Sequence, residues 1–189
     1  YKAKNMFVVM YLGGFAKANA VDDFVAAAKL TDDNVIFIAV GNGANKINLK
    51  RYVKLNNINN IVFLDSVEKS QTNALLKTAD CLYIGAKKSK LYKYGIGMNK
   101  LFDYMLAARP IICAIDSSSD YVGYANCGIT VEPENPKKIS EAIALLKLKS
   151  KDELDAMGNN GRNYVMQNHN YDKLANDFLT LMKELKNED

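Results

Sequence analysis

The sequence predicts an α/β fold: a Rossmann-like, doubly wound parallel sheet of about six strands, with helices on both faces and further helices at the C-terminus. Three observations carry this. Short β-branched and aromatic runs alternate with segments of helical periodicity. The runs are apolar throughout instead of alternating, as a sheet covered on both faces requires. Glycines and many lysines gather in the loops that follow the runs.

MFVVMYL (6–12) is the first strand, and AVDDFVAAAKL (20–30) a helix with Val21, Phe24, Val25 and Ala28 on one face. NVIFIAV (34–40) is the second strand and KINLKRYVKLN (46–56) the second helix. The pair Asp32–Asp33 reads as a turn ahead of that strand. NIVFLD (60–65), QTNALLKTA (71–79) and DCLYIG (80–85) continue as strand, helix and strand. A long lysine-rich loop follows, then a helix beginning near Met98 or Asn99, the strand PIICAI (110–115) and a weaker strand CGITVE (127–132). Asn135 and Pro136 read as cap and first residue of a helix. Ser150 with Glu153 makes a capping box for the next one. YDKLANDFLTLMKELK (171–186) closes the chain as an amphipathic helix striped by Leu174, Phe178, Leu181 and Leu185. No repeat or linker divides the chain, so 1–189 reads as one domain.

The bulk numbers exclude several classes. Hydrophobic residues make up 49% and charged residues 24%, a balance that supports a packed core. A net charge of +4 falls short of the basic stripe of a nucleic-acid binder. No apolar run approaches the ~20 residues needed to cross a bilayer, and the opening residues show no secretory cleavage pattern. Cys81, Cys113 and Cys127 lack metal-ligand spacing and read as buried free thiols in a reducing cytoplasm. His169, in QNHNYD, reads as solvated or capping.

In an open parallel sheet, ligands bind beyond the carboxyl ends of the strands. That rule selects GGFAKAN (13–19), GNG (41–43), DSV (65–67) and AKKSKLYKYGIGMN (86–99). Gly13 and Gly14 permit close backbone approach to a phosphate or simply a tight turn. Lys87, Lys88 and Lys90 read as a solvated loop, which also suits anionic lipid at about 1 kcal/mol per lysine. Lys93 and Lys100 are nearer the helix start and better placed for an anion. Asn99 suits an N-cap, and Gly97 ahead of it leaves room for a ligand. Asn99, Lys100 and Asp103 can share a helix face. There Asp103 could accept two hydrogen bonds from a ribose diol or pair with Lys100 on the surface.

The order of YLGGF, VGNG, NIVFLDSV, LLKTADCLYIG, GMNKLFDYMLAARPIICA and CGITVEPENPKKISEAIALL resembles the donor-binding C-terminal half of retaining GT-B glycosyltransferases of family 4. The branch it resembles builds bacterial capsule, O-antigen or exopolysaccharide. The resemblance implies an enzyme that moves a sugar from a nucleotide diphosphate, a UDP-sugar being favoured, to an acceptor hydroxyl. It implies no cofactor and no metal. It also implies an acceptor-binding N-terminal domain ahead of this chain, which would meet a lipid-linked or glycan acceptor. A cytoplasmic location, with peripheral contact at the inner membrane, goes with that role.

The family's two glutamates, with seven residues between them, fall on Gly95 and Asp103, so the resemblance implies that the ribose contact is kept and the donor-sugar side chain is lost. Backbone amides at Gly97, Met98 and Asn99 inherit contacts to donor sugar and phosphate. The base would lie near Asp65, Ser66 and Val67. The family's Arg and Lys for the diphosphate would fall near Gly14 and Asn19 and are missing, leaving Lys100, Lys93 or Lys17 as substitutes. A nucleotide-sugar epimerase of the same fold and a non-catalytic nucleotide-binding module are the alternative readings.

Overall fold

The computed structural model describes residues 6–187. The opening YKAKN and the last two positions of the 1–189 span lie outside the described residues. The strands are β1 (Phe7–Leu12), β2 (Val35–Val40), β3 (Ile61–Leu64), β4 (Cys81–Gly85), β5 (Ile111–Ala114) and β6 (Gly128–Thr130). The helices are α1 (Val21–Leu30), α2 (Lys46–Leu55), α3 (Lys69–Leu76), α4 (Asn99–Leu106), α5 (Tyr121–Tyr124), α6 (Pro136–Lys147), α7 (Lys151–Asn168) and α8 (Tyr171–Asn187). All strand pairings are parallel, in the order β3-β2-β1-β4-β5-β6. The chain therefore winds outward from β1 to β3 and restarts at β4 on the other side of β1. The β1–β4 gap is the switch point.

Burial on both faces explains the unbroken apolar strands: every residue of β4 and β5 is buried. One core joins β1, β2 and β4 to Phe24 and Val25 of α1, Leu49 of α2, and Ile139 and Ile143 of α6. The other joins the sheet to Leu76 of α3, Leu101 and Tyr104 of α4, and Val165 of α7. Gly158 is a packing requirement, since a Cβ there would stand 2.2 Å from the Ala108 carbonyl oxygen. All three cysteines are free and buried, and burial pushes the Cys113 and Cys127 thiols up to about 12.

The expected caps are present. Asn135 accepts from the Lys138 amide ahead of Pro136, and Ser150 and Glu153 form the reciprocal box. Other expectations change. The lysine loop is partly ordered as a 3-10 turn over Lys90–Tyr94, with Ser89 accepting from the Leu91 amide. The one-turn α5 and the 3-10 turn at Lys17–Asn19 have no periodic signature and were not anticipated. α3 starts earlier, at Lys69. Of its two expected roles His169 takes the capping one: it is the C-cap of α7, its amide donating to the Val165 carbonyl at 2.8 Å, while its ring stacks on Phe102 at 4.5 Å and meets Tyr121 and Tyr164. Burial, then Lys173, lowers its pKa. The stripe on α8 exists, yet Phe178 and Leu181 are 63% and 53% exposed.

Candidate functional site

At the switch point one side chain stands in for a neighbouring strand. Pairing between β1 and β4 stops at Met10 and Leu82, short of the end of β1. Beyond it, the Tyr104 hydroxyl accepts from the Leu12 amide at 2.8 Å and donates to the Leu12 carbonyl at 3.0 Å. This α4 side chain thus takes over the partners a neighbouring strand would satisfy, and fixes α4 against the end of β1.

The β1 side of the crevice is a turn at Gly13 and Gly14. The Gly14 carbonyl accepts from the Tyr11 hydroxyl and from Asn19, each at 2.7 Å. The next loop packs against it. A Cβ on Gly41, at φ +136°, would lie 2.0 Å from the Gly13 carbonyl oxygen, so glycine is required by both conformation and space. Below this loop is Lys46, whose side chain is 10% exposed. Its ammonium donates to the Gly41 and Leu64 carbonyls and to Asp65, all at 2.7 Å, and to Asn42 at 3.1 Å. One cation therefore ties together the loops after β2 and β3, and Asn42 adds a bond to Ser66 at 3.0 Å. A cleft of about 320 Å³ lies above, lined by Leu12, Gly13, Gly14, Val40, Gly41, Asn42, Ser66 and Val67.

Across the switch point is the start of α4. Met98 is its N-cap and no side chain caps it. Asn99 is the first helical residue, so the expected Asn99 cap is not formed. Asn99 and Lys100 therefore present first-turn amides to solvent, the geometry that attracts anions. The Lys100 side chain leaves the helix toward β1. Its ammonium lies 3.2 Å from the Tyr11 hydroxyl and 4.6 Å from the Tyr11 ring centre. It would also be 2.8 Å from a Cβ on Gly13, so a side chain at that position would displace the lysine. Burial lowers its pKa to about 8, and burial likewise raises that of Tyr11.

The expected residues thus divide. Gly13, Gly14, Ser66 and Val67 line the cleft and the Lys100 ammonium reaches Gly13, while Gly97, Met98 and Asn99 lead into and begin α4. Asp65 is at the edge, 86% exposed and tied to Lys46, which holds its carboxyl below the usual carboxylate range. Asp103 does not share a partner with Lys100: it pairs with Lys69 of α3 at 2.6 Å, beside Thr72 and Asn73. On an eight-residue helix the two side chains depart to different neighbours, one to β1 and one to α3. Lys93 lies elsewhere, in a cavity of about 490 Å³ with Lys88, Lys90 and Asp116. Lys17 lines a third space, between α1 and α2. Lys87 is not a solvated lysine. It bonds Asp22 at 2.8 Å and Asp23 at 3.0 Å. Burial alone would lower its pKa, and the two carboxylates reverse that and raise it.

The family model described as "Glycosyl transferases group 1" matches residues 2–164. The chain belongs to the glycosyl transferases group 1 family. No curated protein is significantly similar to it in sequence. Among solved structures, Anabaena Alr3699/HepE in complex with UDP and glucose is similar at a TM-score of 0.79 and 13% identity, over 96% of this chain and 49% of that one. A mutant of S. aureus TarM, with fondaparinux, alpha-GlcNAc-glycerol and UDP, is similar at 0.78 and 18%, over 94% and 36%. The C-terminal domain of the Francisella tularensis group 1 family protein LpcC is similar at 0.70 and 17%, over 87% of both chains. These identities show a shared fold. The chain spans about half the length of HepE and less of TarM, and it matches LpcC as a C-terminal domain, in agreement with the expected GT-B half.

Proposed function

We propose that this group 1 glycosyltransferase chain is the donor half of a retaining enzyme, and that it binds a nucleotide-diphosphate sugar, a UDP-sugar above others, across the β1–β4 switch point. The observation that carries the reading is the pairing of Gly13 with Lys100: a ligand-sized opening, one ammonium and the uncapped first turn of α4 meet there. HepE with UDP-glucose and TarM with UDP support a uridine nucleotide as the first candidate.

In this reading the diphosphate lies between the Gly13–Gly14 turn and the amides of Asn99 and Lys100, and Lys100 replaces the family's missing cations. The base lies over Ser66 and Val67, and the ribose diol takes the Asp103 oxygen that Lys69 leaves unpaired. Charge develops on the departing diphosphate during transfer. Fixed amides and the Lys100 ammonium would stabilise it without reorganising. The first acidic position of the family is Gly95 here, so backbone around Gly97 and Met98 meets the donor sugar. The acceptor, a lipid-linked or glycan hydroxyl of a bacterial surface polysaccharide, would be brought by an N-terminal domain on the cytoplasmic side of the membrane. Among the described residues no helix is long and apolar enough to cross a membrane.

A thermal-shift panel of UDP, GDP, ADP and their sugars tests the reading. A ligand at 100 times its dissociation constant stabilises by about 2.7 kcal/mol, and UDP is expected to give the largest rise. Equal melting temperatures with and without every nucleotide would overturn the proposal.

A further inference from the structure

A second cavity among the described residues exceeds the crevice in volume. It is a groove of about 660 Å³ between α1 and α2, lined by Lys17, Asp22, Asp23, Ala26, Asn45, Asn48, Leu49 and Tyr52. Phe15–Ala16 on one loop and Gly43–Ala44 on the other separate it in sequence from the lining of the crevice. Its walls follow from helical spacing. Asn48 and Tyr52 are four apart on α2, next to the Asn45 cap, and Asp22 and Ala26 are four apart on α1, where alanine leaves the room.

The geometry points to a second binding site here, for a neutral saccharide unit. Four observations choose that ligand class. Tyr52 supplies an aromatic ring 41% exposed at the rim, and a ring face attracts the polarised C–H bonds of a pyranose. Asn45 and Asn48 touch each other through a long 3.4 Å bond, which leaves one amide nitrogen and one amide oxygen for vicinal hydroxyls. Asp22 gives one carboxylate oxygen to Lys87, while its Oδ1 is buried without a partner. The Asp22 side chain is 44% exposed at the groove, and rotation of its carboxylate would turn this acceptor to a sugar hydroxyl. Finally, the charges do not favour an anion. Asp22 and Asp23 face Lys87, with Glu134 3.8 Å from the same ammonium, and Lys17 is the remaining cation at the groove. A phosphate would meet two carboxylates, whereas a polyol finds donors, acceptors and a ring. The site goes beyond the nucleotide reading and does not depend on it. In a chain of this family it would hold a glycan beside the transfer site.

Titration of the isotopically labelled protein with maltose, cellobiose and lactose tests the assignment by amide shifts. Saturable shifts confined to residues 22–26 and 45–52 are expected for at least one disaccharide. They should persist with UDP present, and glucose 6-phosphate should bind no more tightly than glucose. Tyr52→Ala is expected to weaken binding at least tenfold and Asn48→Ala several-fold, with amide dispersion reporting that each variant is folded. Absence of saturable shifts in the groove for all three sugars would overturn the proposal. So would unchanged affinity in folded Tyr52→Ala, or displacement of the sugar by UDP. Failure here with UDP still shifting Gly13 and Gly14 would leave the nucleotide reading intact, and the reverse result would reject only that reading.

Discussion

On the β1–β3 side of the crevice, a lysine belongs to the scaffold. On the β4–β5 side, two lysines of the loop after β4 stand in water. Lys46 gives its ammonium to two carbonyls, an amide and a carboxylate, and so sets the distance between two loops. Lys90 and Lys93 are exposed on a 3-10 turn held by Ser89. Lys100 is intermediate: buried against Tyr11, yet with a single hydroxyl as hydrogen-bond partner. The same side chain is therefore a strut, a ligand for anions or a solubilising charge. The number of fixed acceptors around it decides which.

Removing the strut should have the largest effect. Lys46→Met takes the buried donor from the Gly41 carbonyl and leaves the Leu64 carbonyl only the Gly41 amide, and is expected to destabilise the fold by about 3 kcal/mol in urea unfolding. Asp65→Ala removes only the exposed partner and should leave the midpoint nearly unchanged. Equal losses in both variants would mean that the ion pair, and not the carbonyl tie, organises the loops.

Next in size is Lys100→Met. UDP affinity should fall at least tenfold, about 1.4 kcal/mol, without loss of stability. The sign follows from the lowered pKa. Burial holds Lys100 at about 8 in the folded chain, so between that value and lysine's ordinary one the unfolded chain binds more protons. Stability then rises with pH across this interval, and the substitution removes the rise. UDP affinity moves the other way, weakening as pH climbs through about 8 and the ammonium is lost. Calorimetry at several pH values reads both trends.

Asp103→Ala should weaken UDP binding by about 1 kcal/mol, one hydrogen-bonded group's share, with the fold intact. Unaltered affinity would remove Asp103 from the ribose contact. The smallest effect belongs to Lys93→Ala: stability within the ~0.5 kcal/mol typical of surface changes, and unchanged UDP binding. A tenfold loss there would move the diphosphate to the other cavity.

The strands were readable because burial on both faces leaves an unbroken apolar run, and the caps of α6 and α7 because their residues act locally. A cleft at the carboxyl ends of β1, β2 and β3 follows from the parallel topology. The strut was not readable. Lys46, Lys50 and Lys54 recur every four residues like a solvated stripe, and only contact with the loops after β2 and β3 distinguishes the first. Tyr104 was hidden in the same way, since a tyrosine within NKLFDYML looks like core. Its hydroxyl's bonds to Leu12 depend on a partner 92 residues away. Asp103 and Lys100 share a helix face in projection, but tertiary neighbours pull them apart.

The most direct measurement of the central claim is an amide-shift titration with UDP. The account predicts that Gly13, Gly14, Asn99 and Lys100 shift together and saturate at one dissociation constant, because the diphosphate bridges the two sides of the switch point. Shifts confined to residues 88–93 and 116–118, with the Gly13 turn unmoved, would contradict it.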